Sequence, residues 1–214
     1  SEKMLFDLIP HELYPFDYDT YQKECQHTKL IAGTTDCVSG KPVYYELNDL
    51  RNQYDIVKAT SWLPFLSQMV EYDGKKLLDG GASDSIPVKK SIADGNEKNV
   101  IVLTQPEGYR KKPSKQDKLA HIVYRKYPNL IDNLVNRYQT YNDTLDEIKK
   151  LESEGKAFVI KPSRPLGLGR LEKDPEKIRF AYEMGYEDAV NGMEKLKQFL
   201  QVETDKKIEA GSFR

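Results

Sequence analysis

The segment from Val70 to Leu103 limits the fold more than any other part of the chain. It opens with two short strands, Val70–Tyr72 and Lys76–Leu78, on either side of Asp73-Gly74. An Asp-Gly pair supplies the positive φ angles that a tight hairpin turn needs. Asp79-Gly80-Gly81 follows directly. Pro87–Asp94 then reads as a short helix, with proline in its first turn, Val88 and Ile92 on one side, and Gly95 beyond its end. Val100-Ile101-Val102-Leu103 is a continuous apolar run, the pattern of a strand covered on both faces. Strand, helix and buried strand form a βαβ-type unit, so the fold class is α/β.

The flanking segments extend this reading. Phe6–Tyr21 contains Pro10, Pro15 and several aromatics, and reads as irregular structure leading into a short helix at Phe16–Glu24. Lys29–Thr35 and Pro42–Leu47 read as a hairpin around Val38-Ser39-Gly40, and Asp49–Thr60 reads as a helix. Tyr109–Gln116 is basic and proline-containing, a loop. Leu130, Leu134, Val135, Tyr138, Tyr141, Leu145, Ile148 and Leu151 then recur at helical spacing. Ala157–Lys161 stands as a lone strand. Asp174-Pro175-Glu176 caps a second long helix carrying Ile178, Tyr182, Ala189, Met193, Leu196 and Leu200. Gly185 and Gly192, beside that stripe, would either let another helix approach closely or end the helix early.

Composition excludes several functions. The 33 Lys+Arg residues against 34 Asp+Glu leave a net charge of −1, so no bulk positive field exists to hold nucleic acid. The local cations Arg110, Lys111, Lys112 and Lys115 belong to one loop. No apolar run approaches the roughly 20 residues of a membrane-spanning helix. Cys25 and Cys37 form no C-x-x-C pair, and His11, His27 and His121 are far apart, so neither a metal nor another cofactor is expected. Two free thiols fit a reducing cytoplasm.

Two catalytic motifs are approached and missed. Gly167-Leu168-Gly169 lacks the third glycine of a dinucleotide fingerprint and reads as a turn. Gly81-Ala82-Ser83-Asp84-Ser85 resembles a nucleophile elbow, but serine replaces its last glycine. Asp79 is the stronger candidate. It stands just after a strand, at the edge where open α/β sheets place ligand groups. The adjoining Gly80 and Gly81 would allow positive φ and close approach by another group. The alternative is a turn aspartate that caps its own loop.

Asp79-Gly80-Gly81-x-x-Asp84-x-x-Pro87-Val88 resembles the second catalytic motif of the patatin-like phospholipases. Ala59-Thr60-Ser61-Trp62-Leu63-Pro64-Phe65 is similar to that family's A-S-x-x-x-P-x-F stretch, and Ala32–Tyr45 to a strand pair of its bacterial members. Arg164-Pro165-Leu166, Asp174-Pro175-Glu176 and Ala181–Ala189 resemble their C-terminal extension. The family's glycine-rich oxyanion loop and G-x-S-x-G nucleophile have no counterpart in this sequence.

The resemblance implies a serine acyl hydrolase with a Ser-Asp dyad, cleaving lipid or small carboxylic esters. Asp79 would be the general base, with Gly80 and Gly81 keeping its surroundings open, and the nucleophile would lie outside this chain. Residues 1–105 would be the C-terminal part of the patatin-like domain, and 106–214 a mainly helical extension packed on it. The expectation is a fragment, inactive alone, that either dimerises or retains an N-terminal fragment through exposed strand edges. The aromatic Phe6–Tyr21 stretch would either line or cap a lipid-accepting groove or simply pack its aromatics, and peripheral membrane contact is a separate expectation for the hydrolase. The rival reading is a non-catalytic α/β interaction module.

Overall fold

The computed structural model describes residues 3–114, 117–169 and 172–210. Helix accounts for 48% and strand for 14%, an α/β chain dominated by helix. Two compact units interleave along the sequence, which had suggested one division after residue 105. The first comprises Ser1–Pro87 and Lys112–Tyr141, and the second Val88–Lys111 and Asn142–Arg214.

The first unit is built on a four-stranded antiparallel sheet in the order β2-β1-β4-β3. Its strands are β1 (Ile31–Asp36), β2 (Pro42–Glu46), β3 (Val70–Tyr72) and β4 (Lys75–Asp79). Both expected hairpins form. Asp73 and Gly74 adopt φ of 50° and 68°, the turn predicted for Asp-Gly. At the other hairpin Asp36 accepts hydrogen bonds from Val38 N, Ser39 N and Ser39 Oγ. Burial works against the charged form of Asp36, but these donors outweigh it and hold its pKa below the usual carboxylate value.

Leu77 and Leu78 are both fully buried, as are Thr34 and Thr35. Neighbouring residues on a strand point to opposite faces, so β1 and β4 are covered on both sides. On one face, α2 (Tyr54–Ser61) packs Ile56 and Ala59 against Ala32, Val70 and Leu77. On the other, Ala120 and Tyr124 from α4 (Asp117–Val123) and its following turn join Leu130 and Ile131 of α5 (Pro128–Ser153) over Cys37, Leu78 and Ala82.

Ahead of the sheet lie a π-helical segment, Met4–Leu13, and α1 (Tyr18–Glu24). The segment expected to be irregular is thus largely helical, with Pro10 inside it.

Tyr45, itself half-buried, carries the one buried side-chain polar atom, its hydroxyl, that has no hydrogen-bond partner among the described residues. Its ring meets Tyr72 edge-on at 5.5 Å. Burying a hydroxyl unpaired costs about 1–3 kcal/mol. Tyr45→Phe keeps the ring contact, so we expect it to leave stability equal or raise it by about 1 kcal/mol in urea denaturation. A loss of that size would mean that the hydroxyl has a partner in solution.

In the second unit, β5 (Asn99–Val102) pairs in parallel with β6 (Ala157–Ile160), in the register Val100↔Phe158 and Val102↔Ile160. Three expectations change here. The Ala157 strand is not alone. The strand–helix–strand unit does not close on one sheet, because β4 and β5 belong to different sheets. Nor is the apolar run covered on both faces: Ile101 is buried, but Val100 is 42% and Val102 71% exposed. An aliphatic run records only that each residue tolerates burial, and a two-stranded sheet covers one face more fully than the other.

The expected helix at Pro87–Asp94 is present as α3 (Val88–Ala93), which packs on β5. The last helix, α6 (Pro175–Ala210), packs on β6, with Phe158 and Phe199 rings 5.8 Å apart. Among the described side chains of α6, Met184 is buried outright, whereas Ile178, Tyr182, Met193 and Leu200 of the anticipated stripe face outward. The helix runs through Gly185 and Gly192, and a Cβ added at either would meet nothing within 4 Å. Neither glycine marks a close helix approach. Tyr109–Ser114 is irregular as expected, and Lys115 and Gln116 lie outside the described residues.

Candidate functional site

Asp79 is the last residue of β4, paired across the sheet with Thr34 of β1. The chain then turns through a single 3-10 turn, Gly80–Ala82, whose N-cap is Asp79 itself. Asp79 Oδ1 accepts the Gly81 N–H at 2.8 Å. That bond fixes the carboxylate plane and is the capping contact of the turn-aspartate reading. Oδ2 has no hydrogen-bond partner among the described residues. The carboxylate is half-buried. One oxygen is therefore anchored and the other is available to accept a proton.

The two glycines serve by closeness and not by backbone sign, since neither has positive φ. A Cβ on Gly80 would stand 2.5 Å from the Gly33 carbonyl oxygen and 3.1 Å from Thr34 N, inside the neighbouring strand. A Cβ on Gly81 would stand 2.8 Å from Arg137 Nη2 and 3.2 Å from Asp79 Oδ1. Glycine at these positions lets β1 and the Arg137 guanidinium reach the turn.

Surrounding side chains lock the loop. The Thr35 hydroxyl is 2.9 Å from the Asp79 carbonyl oxygen, to which it donates, and lies 2.8 Å from Ser83 Oγ. Ser85 Oγ donates to the Gly81 carbonyl at 2.9 Å and accepts from Arg137 Nε at 3.4 Å. Tyr44 Oη donates to Asp84 Oδ2, and Asp84 Oδ1 accepts the Ile86 N–H. Burial, with the bond to Asp84 behind it, pushes the Tyr44 phenol well above its ordinary value, so it remains a proton donor. Of the two aspartates, Asp84 is held through both oxygens and Asp79 through one.

Two further nucleophile types near the sheet, Ser83 and Cys37, are tied up. Ser83 is committed to Thr35 and to the Gly80 carbonyl, which accounts for the near-elbow as loop packing. Cys37 is fully buried, and burial pushes its thiol up to about 12. Upstream, the Trp62 carbonyl accepts the Asp79 N–H, which ties the Ala59–Phe65 stretch to the site. Phe65 holds φ of 70°, costly for a bulky residue, and its N–H donates to Tyr124 Oη at 2.7 Å.

Sequence reasoning identified Asp79, Gly80 and Gly81, and the structure brings them together in one turn. It missed Arg137 and the anchoring roles of Tyr44 and Thr35. Arg137 is one polar residue among many on a long helix, and no local pattern separates it from its neighbours.

Residues 127–201 match a domain of unknown function, DUF6363. This stretch includes Arg137 and excludes Asp79. The chain is also similar to the uncharacterized protein YjjU of Escherichia coli (strain K12), 29% identical over 143 residues. The matched stretch is 66% of this chain, and spans only 40% of that relative.

Proposed function

We propose that this chain is the base-bearing part of a patatin-like serine acyl hydrolase, in which Asp79 takes the proton of a serine carried outside residues 1–214. The supporting observation is the half-anchored carboxylate: Oδ1 on the Gly81 N–H, Oδ2 open, at a turn whose glycines allow close approach. As the serine hydroxyl attacks the ester carbonyl, its proton passes to Asp79 and is later returned to the leaving alcohol. Water, deprotonated by the same carboxylate, then attacks the acyl-enzyme; the acyl–oxygen bond breaks, the acid leaves and the proton returns to the serine oxygen. Backbone amides on the nucleophile-bearing segment would hold the oxyanion.

Among the described residues no helix is long and apolar enough to cross a membrane. A cytoplasmic setting belongs to this reading and is supported by the two free cysteines.

The isolated 214-residue chain is expected not to hydrolyse p-nitrophenyl butyrate above the uncatalysed rate. Turnover by the chain alone, abolished by Asp79→Asn, would place the nucleophile within it and refute the proposal.

A further inference from the structure

One side of α6 is occupied by the second unit, with Met184 buried and Phe199 against Phe158. A different side carries Tyr182, Tyr186, Ala189, Met193, Leu196 and Leu200, with alternating spacings of four and three residues. This is the spacing of a coiled-coil seam. Tyr182, Tyr186, Val190, Met193 and Leu200 are between 40% and 71% exposed. The seam runs for about 27 Å along the helix axis, at 1.5 Å per residue.

We propose that this seam pairs antiparallel with the same seam of a second copy of the chain. The side-chain sizes match in that direction. Tyr186 meets the partner's Leu196, Met193 meets the partner's Ala189, and Leu200 meets the partner's Tyr182, so large residues face smaller ones in every layer. In the same register the flanking residue Glu183 meets the partner's Lys197, and symmetry repeats the pair. The two-fold axis crosses at Asn191, and Val190, one residue from it on the flank that carries Glu183, meets the partner's Val190. A parallel pair would stack Tyr182 and Tyr186 on their own copies and leave a gap at Ala189. It would also separate Glu183 and Lys197 by about 21 Å and align the helix dipoles unfavourably. Within one copy Lys197 pairs with Glu194 at 3.2 Å, both exposed, and such a contact is easily exchanged.

A seam of this length lies at the low end of specific interfaces, about 1,200 Å² or less, so association is expected at micromolar concentration. Sedimentation velocity on the chain from about 1 µM to about 200 µM should show a reversible dimer. Met193→Glu should weaken it by about 100-fold, with circular dichroism unchanged because the site is exposed. Glu183→Lys or Lys197→Glu alone should weaken it about tenfold, and the double exchange should restore it. In a Cys25→Ser background, Val190→Cys should form a disulfide-linked dimer under mild oxidation. Tyr182→Cys should not, its two copies being about 27 Å apart along the helix axis. A monomer throughout the range would overturn the proposal and assign the face to another occupant. So would a dimer indifferent to Met193→Glu, failed rescue by the double exchange, or equal cross-linking at 182 and 190.

Discussion

Replacing Asp79 with asparagine in the complete protein should lower kcat for ester hydrolysis by about 1,000-fold, within the range for loss of a general base. The change is nearly isosteric. Asparagine Oδ1 can still accept the Gly81 N–H that Asp79 accepts at 2.8 Å, so the turn should hold. The amide nitrogen would replace the open oxygen, and it cannot take a proton. KM and Tm should therefore change little while kcat falls. Asp84→Asn is the internal control. Asp84 is bound through both oxygens, to Tyr44 Oη and Ile86 N, so its substitution should act on stability and leave kcat within about tenfold. An Asp79→Asn enzyme with intact fold and more than about a tenth of wild-type kcat would rule out the dyad.

Gly80→Ala should be the most destabilising methyl addition in the first unit. The added Cβ would stand 2.5 Å from the Gly33 oxygen and 2.6 Å from its carbonyl carbon. Neither atom can retreat easily. Gly33 is paired with Tyr44 within the sheet, and its oxygen also accepts the Thr60 hydroxyl at 2.6 Å. Overpacking against fixed backbone costs about 3 kcal/mol or more, a large share of the stability of a typical domain. Gly81→Ala provides the contrast. Its new methyl group would meet the tip of the Arg137 side chain, which can swing aside, so a loss of about 1 kcal/mol is expected. Urea denaturation of the two variants tests the order. Equal stabilities would mean that β1 and the turn are less closely apposed than the structure has them.

Legibility varied with how local the deciding interaction was. The Asp73-Gly74 hairpin was readable because two adjacent residues set its positive φ angles. The β1–β2 hairpin and the long helices were readable from patterns within a few turns of chain. Coverage was not. Val100–Val102 looked more buried than Lys75–Asp79, yet β4 is the strand covered on both faces. Its lysines conceal this, because long side chains can run along apolar surface and reach water at their tips. The facing of the apolar stripe on α6 was not legible for a related reason. A helix with two apolar stripes does not say which of them meets its own sheet.

The sequence by itself determined the α/β class, the two antiparallel hairpins, the near-neutral charge and the Asp79-Gly80-Gly81 turn. Each depends on residue chemistry or on neighbours close along the chain. Only the tertiary structure decided that Asp79 keeps one oxygen open while Asp84 does not. It also brought Arg137 to Gly81 and explained Gly80 by its distance from Gly33. These are contacts between residues 40 to 56 positions apart, paired by the sheet register and by the packing of α5. Local propensity carries no information about such distances, because they arise only when separate elements share one core.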